Sequence, residues 1–303
     1  MTRFSLIYLF TMTFALPSKG CDVCGCGPGA GFTGLLAGQE QNFFGLRSGF
    51  QLFNHPETPY NFNGESQVFQ DQFIRNEFWY RHFINEKTQV MVQVPYQIHV
   101  RQESLRTSRI QGVGDIQVNL LRKMTERDGV KYNHRLFVGG GVGLPTGTYM
   151  QRDENMTLLP DRFQIGAGAF SGMVRTMGFF ERKSWGLFVD AGYRIAGENE
   201  QTFRMGNQTT ANMHLYRKQK LRDAVLLPAI GFNFEHFEKD LKFNQTVSKS
   251  GGSNLLLHAG VDCYTSKWIV QLFAQQVVWH NLPGAMPIPG TRIGLTLARA
   301  KAS

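Results

Sequence analysis

From residue 88 to 101 the chain alternates strictly. Thr88, Val90, Val92, Val94, Tyr96, Ile98 and Val100 fall on one side, and Gln89, Met91, Gln93, Pro95, Gln97, His99 and Arg101 on the other. Such a period of two marks a strand with two unlike faces. About 9–11 residues suffice to cross a bilayer at barrel tilt. Residues 185–195 repeat the pattern, with Trp185, Leu187, Val189, Ala191, Tyr193 and Ile195 against Gly186, Phe188, Asp190, Gly192 and Arg194. Residues 44–53 set Leu46, Phe50 and Leu52 against Gly45, Arg47, Gly49 and Gln51. Weaker versions occur at 67–83, 112–124, 133–145, 163–177, 209–217, 224–236, 254–264, 267–279 and 290–299. The pattern predicts an all-β chain of about twelve antiparallel strands, an even number as single-chain transmembrane barrels require.

The connections carry a second signal. Those expected at 54–66, 102–111, 146–162, 196–208, 237–253 and 280–289 are long and polar, whereas those after the even strands, such as Asn85-Glu86 and Thr265-Ser266, are short. Long outer loops and tight periplasmic turns are what an outer-membrane barrel produces. A soluble sandwich gives no reason for that parity. Trp79, Tyr80, Tyr96, Trp185, Tyr193, Tyr264, Trp268 and Trp279 fall near strand ends, where amphipathic rings prefer the headgroup level. Composition agrees: 33 Gly and 25 Phe accompany only 18% charged residues. No 18-residue stretch lacks polar interruption, which excludes helical spans.

Residues 1–20 read as a signal peptide: Arg3, an uncharged apolar stretch from Phe4 to Leu16, then Ser18 and Gly20 at the positions a signal peptidase reads. Residues 21–41 then form a cysteine-containing periplasmic segment, and 42–303 the barrel. Cys21, Cys24 and Cys26 could hold a metal ion such as Cu(I) or Zn(II). A disulfide fits the oxidising periplasm equally well, and lipid attachment at Cys21 is a third fate. Cys263 stands apart, so no fourth ligand is at hand in sequence, and no other cofactor is expected.

Charged and amide side chains on the inward phase are the candidate chemistry: Arg75, Glu77 and Arg81 on the second strand, Gln93 on the third, Asp115 opening the fourth, Asp190 and Arg194 on the seventh, and Gln271 on the eleventh. On the lipid face a charge costs about 2–4 kcal/mol near the midplane, so these belong in the lumen. There they set the field felt by a solute or simply brace the wall. Asp115 is expected to accept hydrogen bonds from backbone N–H groups between Gly143 and Gly147. The glycine runs at 139–141 and 143–147 lack the Lys-Ser or Lys-Thr of a phosphate loop and suit close strand approach instead. No Ser-His-Asp order or paired carboxylates stand out, so the chain is not expected to be an enzyme. The net charge of +9 is spread without a nucleic-acid patch. Expected partners are outer-membrane lipid and a small-molecule solute, with the oligomeric state open.

Gly112-Val113-Gly114-Asp115-Ile116 and Gly143-Leu144-Pro145-Thr146-Gly147 resemble paired motifs of the transporter-like outer-membrane proteins grouped as meta-pathway phenol-degradation proteins. Cys21-Asp22-Val23-Cys24-Gly25-Cys26-Gly27 followed by Phe43-Phe44-Gly45-Leu46-Arg47 is similar to the start of a Bacteroidetes-type branch of that group. The resemblance implies a porin-like outer-membrane channel or transporter for small, apolar or aromatic compounds. The rival expectation is a structural or interaction barrel with a closed lumen and partner-binding outer loops. The chain ends on Leu297-Ala298-Arg299-Ala300-Lys301-Ala302-Ser303 rather than on the aromatic common in such barrels, so a short tail beyond the last strand is expected.

Overall fold

A computed structural model describes residues 42–54, 70–103, 106–129, 131–283 and 287–301. Residues 1–41, with the expected signal peptide and Cys21, Cys24 and Cys26, lie outside the described residues. The chain forms a closed antiparallel barrel of twelve wall strands. They are β1 (Asn42–Asn54), β2 (Gln70–Asn85), β3 (Thr88–Glu103), β4 in two segments, β4a (Arg106–Val113) and β4b (Ile116–Asp128), β5 (Asn133–Leu144), β6 (Ser171–Arg182), β7 (Trp185–Ala196), β8 (Gln208–Arg217), β9 (Ala224–Phe237), β10 (Gly252–Thr265), β11 (Trp268–Asn281) and β12 (Ile288–Lys301). Each pairs with its sequence neighbour, and β1 closes the ring on β12 with Leu46 opposite Leu297. Gln219–Leu221 adds a three-residue strand at one turn, and Phe203–Arg204, Leu241–Lys242 and Gln245–Thr246 form a small separate sheet among the outer loops.

The alternation becomes an inside and an outside. On β3, Gln89, Met91, Gln93, Pro95, Gln97, His99 and Arg101 are buried in the lumen, while Val90, Val92, Val94, Tyr96, Ile98 and Val100 face outward. Exposed Leu46, Phe78, Leu120, Val174, Ile230, Leu272 and Leu295 continue the outer apolar surface around the ring. An apolar exterior around a polar interior is stable only in lipid.

Two expected elements differ. Residues 102–111 are not a long loop: β4a continues the wall here, pairing with β3 from Tyr96↔Val113 to Glu103↔Arg106. Its outward residues Thr107, Arg109 and Gln111 are polar because this stretch stands above the lipid belt, and their polarity imitates a loop. Residues 163–170 are not part of the sixth strand, which begins at Ser171. They belong to the connection 145–170, which turns into the barrel mouth and carries the short 3-10 turn Asp161–Phe163. The last strand runs on to Lys301, beyond the expected 290–299.

Candidate solute pathway

The described lumen is layered. At the outer mouth Phe53, Phe73, Ile110 and Phe237 of the wall pack with Leu159, Phe163 and Ile165 of the infolded loop. At the periplasmic end two apolar clusters come from wall positions. One contains Phe137, Met177, Phe179, Phe188 and Tyr216, the other Phe43, Trp79, Met91 and Ile269, and Tyr264 packs against both. Between the ends lies a polar waist.

The inward phase of the strands builds that waist, and most of the expected pathway residues lie in it. Glu77 accepts from Arg75 at 2.8 Å, from Arg47 at 3.3 Å and from the Gln93 amide at 3.0 Å, and Gln93 in turn accepts from Asn119 at 3.1 Å. Across the lumen Asp190 takes a forked pair from Arg175 at 2.6 and 3.0 Å and a third bond from Asn212 at 2.7 Å. Asn233 and His214 extend that chain, and the His214 ring stacks on His258 with centroids 4.1 Å apart. Gln271 donates to Asp262 at 2.7 Å. Nearer the mouth Arg292 forks onto Glu235 at 2.6 and 2.8 Å, and Arg101 onto Asp71 at 2.8 and 2.9 Å. Buried charges are tolerated when paired and hydrogen-bonded in this way. Arg47, His214, His258, Asp262, Gln271, Phe273 and Thr296 leave a space of only about 10 Å³ between them, at the limit for one water.

Three expected residues sit elsewhere. Arg81 lies near the periplasmic end with its guanidinium 4.6 Å from the Phe43 ring centroid. Arg194 is on the lumen face of β7 above the waist, and its Nε has no partner among the described residues. Asp115 sits at the break between β4a and β4b. Its carboxylate accepts from Gly147 N–H at 2.9 Å and Ala167 N–H at 2.8 Å, so it binds both ends of the infolded loop. The expected contact to the 143–147 stretch is present, and Ala167 is added to it. Gly147 and Gly166 cross here so closely that a Cβ on Gly147 would lie 2.7 Å from the Gly166 Cα.

Two further carboxylates hold the loop. Asp153 accepts from Ser108 at 2.8 Å, from the N–H groups of Thr157 and Asn155 at 2.9 and 3.0 Å, and from Arg106 of β4a. Desolvation alone would raise its pKa, yet the Thr157 N–H, Ser108, Arg106 and Asn155 outweigh it and lower the carboxyl to about 2. Asp240, on the next outer loop but one, grips Arg162 and accepts from Gly206 N–H at 2.7 Å. The wall reaches up as well: His99 Nδ1 donates to the Phe163 carbonyl at 2.7 Å, and Gln97 to that of Ile165 at 3.2 Å. β4a pairs with β3 alone, so the loop lines its other edge, with Gln151 donating to the Gln111 carbonyl at 3.4 Å.

Sequence reasoning did not single out Arg47, Arg175, His214, Glu235, His258 or Arg292. Their signal was the inward phase itself, which Arg47 and Arg101 display within the clearest alternating runs. The loop anchors Asp153, Arg162 and Asp240 carry no such signal, because their partners are up to 78 positions away. Cys263, the one cysteine among the described residues, is on β10, half-buried on the outward phase.

The sequence matches no protein-family model and no curated protein. Among solved structures the chain is similar to an outer membrane channel from Pseudomonas putida F1, with TM-score 0.65 and 12% identity, covering 87% of this chain and 96% of that one. It is also similar to the β domain of the Bordetella autotransporter BrkA, with TM-score 0.49 and 8% identity over 86% and 100% of the two chains. The CymD monoaromatic hydrocarbon channel has TM-score 0.38 and 7% identity over 88% and 90%. The architecture is that of a bacterial outer-membrane β-barrel. Identities this low carry the fold and not the cargo.

Proposed function

We propose that this barrel is a channel for small molecules, with a preference for apolar or aromatic solutes, and that it is not an enzyme. The observation that carries the reading is a series of lumen-facing polar atoms without hydrogen-bond partners among the described residues. They occur near the mouth in Gln51 and Asn254, at mid-height in Gln117 and near the periplasmic end in Gln89. Buried amides are satisfied by protein or by water, so amides left over along the described lumen support a hydrated path through it. The preference for apolar solutes rests on the outer mouth, where Phe53, Phe73, Phe163 and Phe237 form a buried aromatic layer that a solute passes once the infolded loop yields. The pathway residues are Arg75, Glu77, Gln93, Asp190 and Gln271 at the waist, with Arg194 and Asp115 above and Arg81 below. The metal or disulfide role of Cys21, Cys24 and Cys26 stands as a separate proposal, tested by metal content and thiol titration of the full chain.

Planar-bilayer recording of the refolded chain tests the reading. Discrete openings are expected, and Glu77→Gln should shift ion selectivity toward anions, because Arg47 and Arg75 then lose their shared carboxylate. A heat-modifiable barrel that is electrically silent with both chains would favour the structural or partner-binding alternative.

A further inference from the structure

At the periplasmic end of β5 to β8 the outer surface carries a groove of about 390 Å³ whose lining includes Tyr132, Phe180, Arg182, Trp185, Leu187 and Leu215. Apart from Tyr132, which is in the turn before β5, these residues are on the outward phase, and Phe180, Trp185 and Leu215 are about half exposed. Trp185 stands opposite Arg182 on one neighbouring strand and opposite Arg217 on the other. The two arginines are thus about 9–10 Å apart at the backbone, two strand spacings. Neither forms an ion pair among the described residues. Arg217 lies 5.6 Å from the Trp185 ring centroid, and Arg182 lies 5.1 Å from that of Tyr132. The same device recurs where Arg299 lies 5.6 Å from the Trp268 ring centroid. The neighbouring turn is strongly basic, with Arg217, Lys218, Lys220 and Arg222 in six residues. The adjacent carboxylate, Glu181, is on the lumen phase and is already held by Tyr216 and Lys218 at 2.6 and 2.7 Å.

We infer that this groove binds an anionic phospholipid of the periplasmic leaflet. A phosphate seated above Trp185 lies within reach of both guanidiniums, whose forked donors suit phosphate oxygens. Trp185 and Tyr132 hold the headgroup level. Phe180, Leu187 and Leu215 then offer an acyl chain a track running toward the midplane. Charge complementarity selects the occupant, because a zwitterionic headgroup brings its own cation to a site that already has two. The site is separate from the lumen, so it stands whether or not the barrel conducts.

Quenching of tryptophan emission by brominated lipids tests the site, in refolded full-length chain with Trp185→Phe isolating the Trp185 signal. Brominated phosphatidylglycerol should quench Trp185 at lower mole fraction than brominated phosphatidylcholine. The paired substitutions Arg182→Gln and Arg217→Gln should weaken that preference about fivefold for each guanidinium removed, with heat-modifiable migration unchanged. Equal quenching by the two lipids in the unmodified chain would overturn the inference without any variant. A preference that survives the double substitution would overturn it as well.

Discussion

Both ends of the lumen are apolar, yet the two layers are built by different means. At the periplasmic end every described side chain of the two clusters is rooted in a wall strand, so Phe137, Phe179 and Phe188 move only if the barrel moves. At the mouth, Leu159, Phe163 and Ile165 belong to a connection that no sheet ladder holds. It is pinned by three carboxylates, Asp115, Asp153 and Asp240, and by the wall side chains of Gln97 and His99. A layer carried by the wall can only be permanent. A layer carried by a clasped loop can open locally while the barrel stays folded. The same kind of apolar packing is structural at one end and a removable cover at the other.

The strongest way to break this contrast is to truncate one aromatic from each layer. Phe188→Ala should cost about 3–5 kcal/mol of barrel stability, read as the midpoint of urea unfolding in detergent. Phe163→Ala should leave that midpoint within about 1 kcal/mol, since the loop yields separately, while conductance rises. Equal losses would mean that the loop is part of the folding unit. A smaller effect sharpens the picture: Asp115→Asn weakens charge-assisted bonds at both ends of the loop. It should cost about 1–2 kcal/mol and speed proteolysis within 146–162 about tenfold. Unchanged protease resistance would remove Asp115 from the clasp. The smallest effect is acid release. Because the Asp153 carboxyl is lowered from 3.8 to about 2 in the folded loop, its stabilisation is complete above about pH 4 and fades as pH falls toward 2. Loop proteolysis by an acid-active protease should accelerate only in that window, and an onset near neutrality would point to another group.

The wall was legible because lipid outside and water inside force a two-residue period on any strand that spans. That period placed Glu77, Gln93, Asp190 and Gln271 on the lumen face without a structure. It misled at Phe163, Ile165, Ala167 and Ala169, where apolar residues two apart belong to a bent loop buried on both phases from Arg162 to Gly166 and so imitate a strand. It failed at β4a for the opposite reason: above the lipid belt both phases can be polar, and a strand looks like a loop. The loop anchors were beyond reading, since nothing local marks Asp153 as the partner of Arg106 or Asp240 as that of Arg162.

Ring closure sets an order of events in assembly. Leu46 meets Leu297 only across the seam between β1 and β12, a contact separated by nearly the whole barrel. Until the last strand arrives, every partly built wall has two open edges, each a row of unsatisfied backbone groups beside an apolar face. Such edges invite pairing with other chains, and loop-closure entropy delays the contact that removes them. The seam is therefore the point where this chain is most dependent on being escorted into the bilayer, and where a foreign strand would find it easiest to intrude.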